Sequence, residues 1–309
     1  MYSGSICDVK GLLVGHAQNE EARTGCTVLF AEDGFVAGVD VRGAAPGTRE
    51  TDLLKPENMM PRINAIVLTG GSAYGLDACS GVMHALEERN IGYDVRIAKV
   101  PIVCGAVLFD LGVGSVKVRP DARMGREALE NATDKPVFGH VGAGTGATVG
   151  KMVPGAVSFR SGIGSASIKL PGGGTVAAMV AVNAAGDVYD PETGACIACG
   201  TLAGAPLPFH RALIGMLQQQ AAQAGANTTI GVVATDVKLT KTECSRLATV
   251  AHDGYALAIR PVHTIADGDT LFAVSHGEYE CEPVILQAMA VQVVAQAIVN
   301  AVQGGAEHA

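Results

Sequence analysis

Asn227 and Thr228 stand side by side at the head of a β-branched run, TTIGVVAT (228–235). A Thr hydroxyl set against the preceding carbonyl can attack it, exchange the amide for an ester and, once that ester is hydrolysed, leave Thr228 as a new N-terminus. The freed α-amine, with an ordinary pKa of about 7.7 to 8.0, can then accept the proton of its own hydroxyl near neutral pH. Such a nucleophile needs no catalytic His. By residue type alone, however, Asn-Thr is equally a plain join between loop and strand. Downstream, Asp267 and Asp269 lie one residue apart in IADGDTLF (265–272), just before a strand signal. In an extended segment alternate residues share a face, which would turn both carboxylates to one site; Asp-Gly is also the composition of a turn.

Lys151 ends the glycine-rich segment GAGTGATVGK (142–151). A phosphate-cradling loop would need Gly at 145 and a hydroxyl at 152, where this chain has Thr145 and Met152. A dinucleotide fingerprint drawn through Gly142, Gly144 and Ala147 lacks its ribose-binding acid, because no acidic residue occurs between Asp134 and Asp187. Gly70-Gly71-Ser72-Ala73-Tyr74 fails as a nucleophile elbow, with Tyr74 where the last Gly belongs. No cofactor is expected, and Lys151 by itself reads as a lone cation at the end of a loop. Of the eight Cys only Cys196 and Cys199 form a CxxC, with neither a second pair nor His210 or His252 at ligand spacing. They read as small buried thiols, and no metal is expected.

The elements that must position these groups alternate without a regular βαβ beat. Strand signals cover 33–41, 65–69, 228–235 and 271–275; helical patterns cover 72–88, 208–224 (ended by Gly225), 243–251 and 284–302. Ser72, Ala73 and Tyr74 thus fall at a strand-to-helix junction after Gly70-Gly71. Short β-branched runs such as AVSF and TVAAMVAV alternate with Gly between 134 and 187, as in a sheet with tight turns. The pattern predicts one large domain, 1–309, of layered α/β or α+β sheets covered by helices. The apolar stretch Val284–Val302 is broken by Gln287, Gln292, Gln296 and Asn300, so it predicts an amphipathic or buried helix rather than a membrane span. A net charge of -8 without any Lys/Arg cluster argues against nucleic acid or an anionic membrane as partner. The N-terminus shows no basic region followed by an apolar core, and a cytoplasmic location is expected.

Five strings together carry a family resemblance: VRGAAPGTRETDLL (41–54), VLTGGSAYGLDA (67–78), VPIVCGAVLFDLGVG (100–114), GAGTGATVGK (142–151) and NTTIGVVATD (227–236). Through them nearly the whole chain resembles the P1 family (peptidase family S58) of DmpA-type and BapA-type aminopeptidases and NylC-type nylon-oligomer hydrolases. The resemblance implies a four-layer αββα sandwich and a precursor cut once, here into an α chain 1–227 and a β chain 228–309, assembled as a homotetramer. It implies hydrolysis of amide bonds in small peptides or peptide-like oligomers. Thr preceded by Asn, with two Asp downstream, matches the nylon-oligomer branch; the aminopeptidases usually carry Ser. By the same resemblance Lys151 assists the nucleophile, Asn183 in VAVNAAGD (180–187) donates to the oxyanion and Tyr74 lines the substrate pocket. Ornithine acetyltransferases share the architecture and the cut before Thr, but their Met-Ala-Thr-Met type run is absent here. A binding protein that kept the fold and lost the chemistry is the alternative outside the enzymes.

Overall fold

The computed structural model describes residues 1–216 and 227–304. Its main sheet has nine strands: β1 (Leu13–Asn19), β2 (Thr24–Val41), β3 (Thr48–Arg49), β4 (Ile63–Thr69), β5 (Val103–Val107), β6 (Ile163–Lys169), β7 (Thr175–Asn183), β8 (Thr228–Val237) and β9 (Thr270–Tyr279). They run in the order β6-β7-β8-β9-β2-β4-β5-β3, with β1 also on β2. The helices are α1 (Ala78–Glu88), α2 (Ala122–Glu130), α3 (Phe209–Met216), α4 (Lys241–Ala251), α5 (Asp253–Ala258) and α6 (Pro283–Gln303).

Strand β2 is the hinge of the architecture. Its first half pairs with β1 and β4, its second half (Val36–Val41) with β9, and its register with β4 breaks between Phe30 and Phe35. The sheet thereby folds into two stacked halves, and period-two alternation sorts side chains between the layers. Leu29, Ala31, Ile66 and Leu68 from one half meet Ala177, Met179, Ile230, Val232 and Phe272 from the other in a core between the sheets. The intervening residues face outwards. Val28, Phe30, Ala65 and Val67 pack on α1 and α2, whereas Val176, Ala178, Val180, Val233, Leu271 and Ala273 pack on α4, α5 and α6. The result is the expected helix–sheet–sheet–helix sandwich. Because both faces are covered, every residue of β7 and β8 is buried and these strands read as nearly continuous apolar runs.

Several elements depart from the sequence expectations. Strand β2 is twice the length of the signal at 33–41. The segment 72–88 begins as a 3-10 turn, Ser72–Asp77, and becomes α-helical only at Ala78, because it leaves the strand through the left-handed Gly71 (φ 82°). AVSF forms no long strand: Val157 makes a single bridge to Thr201, and Phe159 with Arg160 ladders to Thr148–Val149. Helix α3 begins as expected; the rest of 208–224 and Gly225 lie outside the described residues. Helix α6 is long and apolar enough to cross a membrane by length and composition, yet just over half of its apolar window is buried against the protein. Its polar stripe is not wholly outward: Asn300 is buried and bonds Tyr2 N, Tyr2 O and Ser165 O. All eight Cys are free, with Cys7, Cys196 and Cys281 only half-buried rather than fully enclosed.

Candidate active site

Thr228 opens β8 directly opposite Asn183, the last residue of β7. By alternation with Ile230 and Val232 its side chain belongs to the inter-sheet face. On its other side β8 runs parallel to β9, with Ile230 level with Thr270, and Asn227 bridges Asp267 just before the strands begin. The Asn227–Thr228 peptide is gripped from this side. Gly268 N–H donates to the Asn227 carbonyl oxygen at 2.9 Å, and Thr228 Oγ1 donates to the same oxygen at 2.5 Å. Past the bond, Thr229 N–H donates to Asp269 Oδ1 at 2.7 Å. Position 268 tolerates no side chain: a Cβ there would lie 2.5 Å from Ala45 O and 2.9 Å from Thr228 Oγ1.

Lys151 reaches this point from the glycine-rich segment, whose backbone docks through Gly150 N on Gly186 O (3.0 Å) and Lys151 N on Ala185 O (2.9 Å). Its Nζ donates to Asn183 O at 3.1 Å and to Asn183 Oδ1 at 2.9 Å. Asn183 Oδ1 also takes Thr148 N–H at 3.1 Å, while Nδ2 donates to Phe109 O at 2.8 Å. Donor-only and acceptor-only neighbours leave just one orientation for this amide. One of its two N–H bonds is thus committed to Phe109. Lys151 is half-buried, and burial pushes its pKa down to about 7 against the opposing pull of Asp267 and Asp110.

The carboxylates have separate partners. Asp267 Oδ2 accepts from Thr264 N at 2.9 Å and Thr264 Oγ1 at 2.5 Å. Burial raises its pKa, the charge of Asp269 adds to this, and the bonds from Thr264 and the Ala185 N–H oppose it. Asp269, besides holding Thr229 N–H, takes His263 N at 3.1 Å and His263 Nδ1 at 2.8 Å on Oδ2. Strand β9 starts only at Thr270, so the alternation expected to align the two carboxylates does not extend to them. A third carboxylate, Asp110, enters from the loop after β5 on the opposite sheet. It accepts from Thr24 Oγ1 and Gly71 N, each at 2.7 Å; burial raises its pKa, while these bonds and Lys151 hold it back.

The fold therefore gathers Thr228, Lys151, Asn183, Asp267 and Asp269 around one strand end, and Asn227 with them. Tyr74 stands apart. It is 62% exposed on the turn after Gly71, with the Arg119 guanidinium 4.0 Å from its ring centroid. Sequence reasoning missed Asp110, Gly268, Thr264 and His263. Asp110 sits inside the VPIVCGAVLFDLGVG string and Gly268 between the two Asp, but only the sheet order brings them to Thr228.

What the arrangement can do is nucleophilic acyl chemistry: a hydroxyl, a lysine poised near neutrality and amide donors. A family profile described as Peptidase family S58 matches residues 4–308. An uncharacterized aminopeptidase of Mycobacterium leprae is 43% identical over 294 residues, covering 89% of this chain and 79% of the relative. A 6-aminohexanoate-oligomer endohydrolase of Kocuria sp. is 33% identical over 285 residues, covering 88% of this chain and 75% of the relative. Among solved structures, the L-aminopeptidase D-Ala-esterase/amidase of Ochrobactrum anthropi, described as a variant of the Ntn-hydrolase fold, superposes with a TM-score of 0.70 at 21% identity, over 97% of this chain and 86% of that one. A Burkholderia sp. beta-aminopeptidase gives 0.68 at 23%, with the same coverage. These two establish the fold; the sequence matches establish the kinship, and the chain belongs to peptidase family S58, as a hydrolase of amide or peptide bonds.

Proposed function

We propose that this protein is a self-cleaving hydrolase of small peptides or peptide-like amide oligomers, in which Thr228 first cuts the Asn227–Thr228 bond and then attacks substrate. The observation that carries this reading is the grip on the Asn227 carbonyl: Thr228 Oγ1 and Gly268 N–H both bond its oxygen.

In the precursor Thr228 has no free amine, so another base must take the hydroxyl proton. Lys151 Nζ spends two positions on Asn183; with its pKa near 7, the remaining position can hold a lone pair at neutral pH. Oγ1 forms a bond to the Asn227 carbonyl carbon, and the negative oxygen keeps the Gly268 N–H bond. Losing one such donor typically costs about 2.7 to 4 kcal/mol of barrier. The C–N bond then breaks, its nitrogen takes the proton, and water hydrolyses the resulting ester to leave the Asn227 carboxyl and the Thr228 amine.

In turnover the α-amine receives the hydroxyl proton and the substrate carbonyl takes the place that Asn227 vacated. The amine product leaves, and water resolves the acyl ester. The second N–H of Asn183, beside Thr228 across the ladder, is the further donor for this oxyanion. Asp267, its pKa raised and its charge felt by Lys151, tempers the cation and offers a counter-charge to the α-ammonium or to an amino group of substrate. Tyr74, exposed near the glycine turn, is the proposed outer contact for substrate. The processed protomers are proposed to assemble as homotetramers.

Intact mass after prolonged incubation tests the reading. The expected products are chains 1–227 and 228–309 with Thr at the new N-terminus, and one uncut chain for Thr228→Ala. Cleavage of Thr228→Ala at the same bond would sink it. Amino-acid p-nitroanilides assayed beside 6-aminohexanoate oligomers then decide the substrate class between the two kinds of relative.

A further inference from the structure

On the helix side of the same strand end lies a buried group that the reaction above does not use. Asp269 is wholly buried; one oxygen holds Thr229 N–H, and the other receives both the backbone N–H and the ring Nδ1 of His263. The ring nitrogen faces a carboxylate, so it must carry a proton, and in neutral His263 the Nε2 is then a bare acceptor. That Nε2 is closed off from solvent and has no partner among the described residues. His252, its ring centroid 5.0 Å away, repeats the pattern. Its Nε2 lies 2.9 Å from the Asp40 carbonyl and must donate, which leaves Nδ1 as a second dry, partnerless acceptor. Tyr255 stacks on His263 at 6.0 Å and donates its hydroxyl to Thr270 O at 3.3 Å.

This arrangement is costly to build. Two buried lone pairs go without donors, and His263 holds φ at 58°, in the left-handed region that non-glycine residues avoid. The left-handed turn is what lets one residue aim both its N–H and its ring at a single carboxylate oxygen. With Oδ2 held from this side, Oδ1 of Asp269 is left to Thr229 N–H.

We propose that His263 is a positioning residue: by orienting Asp269 from behind the sheet it fixes Thr229 N–H, and through that peptide the direction of the Thr228 hydroxyl, in both self-cleavage and turnover. This role rests on Thr228 being the nucleophile. Full-length His263→Ala and His263→Asn proteins test it, with self-cleavage followed by intact mass and turnover measured on the p-nitroanilide that the wild type hydrolyses best. A charge-assisted hydrogen bond is worth about ten- to a hundred-fold in rate when its loss is felt at the nucleophile. His263→Ala should therefore cleave itself and turn over more slowly by that factor, with kcat falling and KM within about twofold. His263→Asn, whose amide nitrogen can stand where Nδ1 stood, should recover most of the rate even while it melts below the wild type, a pattern that mere loss of packing does not give. Wild-type rates in His263→Ala, or a His263→Asn no faster than His263→Ala, overturn the proposal. Either result leaves the nucleophile reading intact, whereas cleavage of Thr228→Ala at the same bond removes that reading by itself.

Discussion

The two sides of the sheet at the head of β8 are built from opposite chemistry. Between the sheets, Thr228 and Asn183 meet Lys151, Asp267 and Asp110, three ionisable groups whose burial drives each towards its neutral form. On the helix side, Asp269 is held by His263, whose ring packs edge to face on His252 and stacks with Tyr255. On the first side the Lys151 ammonium is brought down to about 7, the range that proton transfer at neutral pH requires. The second keeps geometry. On the proposed reading one strand end separates the groups that react from the groups that hold them, and substitutions on the two sides should fail in different ways.

The largest effect belongs to Thr228→Ala, which should abolish self-cleavage and turnover while the uncut chain still folds. Gly268→Ala comes next, because it strikes the Asn227–Thr228 bond directly. Its Cβ would press on Ala45 O and on Thr228 Oγ1. Overpacking of this kind costs about 1 to 3 kcal/mol. A lower melting temperature is expected, together with self-cleavage slowed by about a hundredfold or more as the Gly268 N–H is pushed off the Asn227 carbonyl. Wild-type cleavage by this variant, followed by intact mass, would show that the 268 amide is no oxyanion donor.

Lys151→Met should slow self-cleavage by about a hundredfold and remove its pH dependence. In the wild type the rate should climb through pH about 7 as Lys151 loses its proton, then level off. The stability consequence has a definite sign. The folded pKa lies near 7 and the unfolded value near 10.5, so between these pH values the unfolded chain binds the extra proton and stability rises with pH. Below pH 7 the cost of the buried cation is fully present. In the variant this contribution is gone, so the wild type should gain on Lys151→Met in melting temperature between pH 7 and 9; a constant gap would place the lysine in solvent.

The comparison also shows what a sequence can and cannot disclose. Thr228 at a strand start and Lys151 at a loop end are legible in the residues, and Asn183 only through the family resemblance. Their convergence is not. It comes from β7 and β8 pairing so that Asn183 meets Thr228, and from the break in β2 that stacks one sheet half on the other and delivers Asp110. The layered architecture is readable from strands and helices that alternate without a regular βαβ beat, and its four-layer form from the family resemblance. Asp267 and Asp269 were recognisable as a pair, but their divergence depends on Thr264 and His263, which only a turn in the left-handed region brings back to them. His252 and His263 carry no motif, since their spacing fits no metal and their role lies in the third dimension.

Tyr74 should give the smallest effect and tests how far the reactive side extends. Its ring is exposed and stacked under Arg119, an exposed cation–π contact of about 0.5 to 1 kcal/mol. Tyr74→Ala should therefore shift stability by no more than that and leave self-cleavage at the wild-type rate, since no substrate has to bind for the chain to cut itself. Only KM should move. A few-fold rise in KM with unchanged kcat would make Tyr74 part of the substrate mouth and extend the reactive side from the strand end to the surface. An unchanged KM across the substrate panel would confine it to Thr228, Asn183 and the three buried charges.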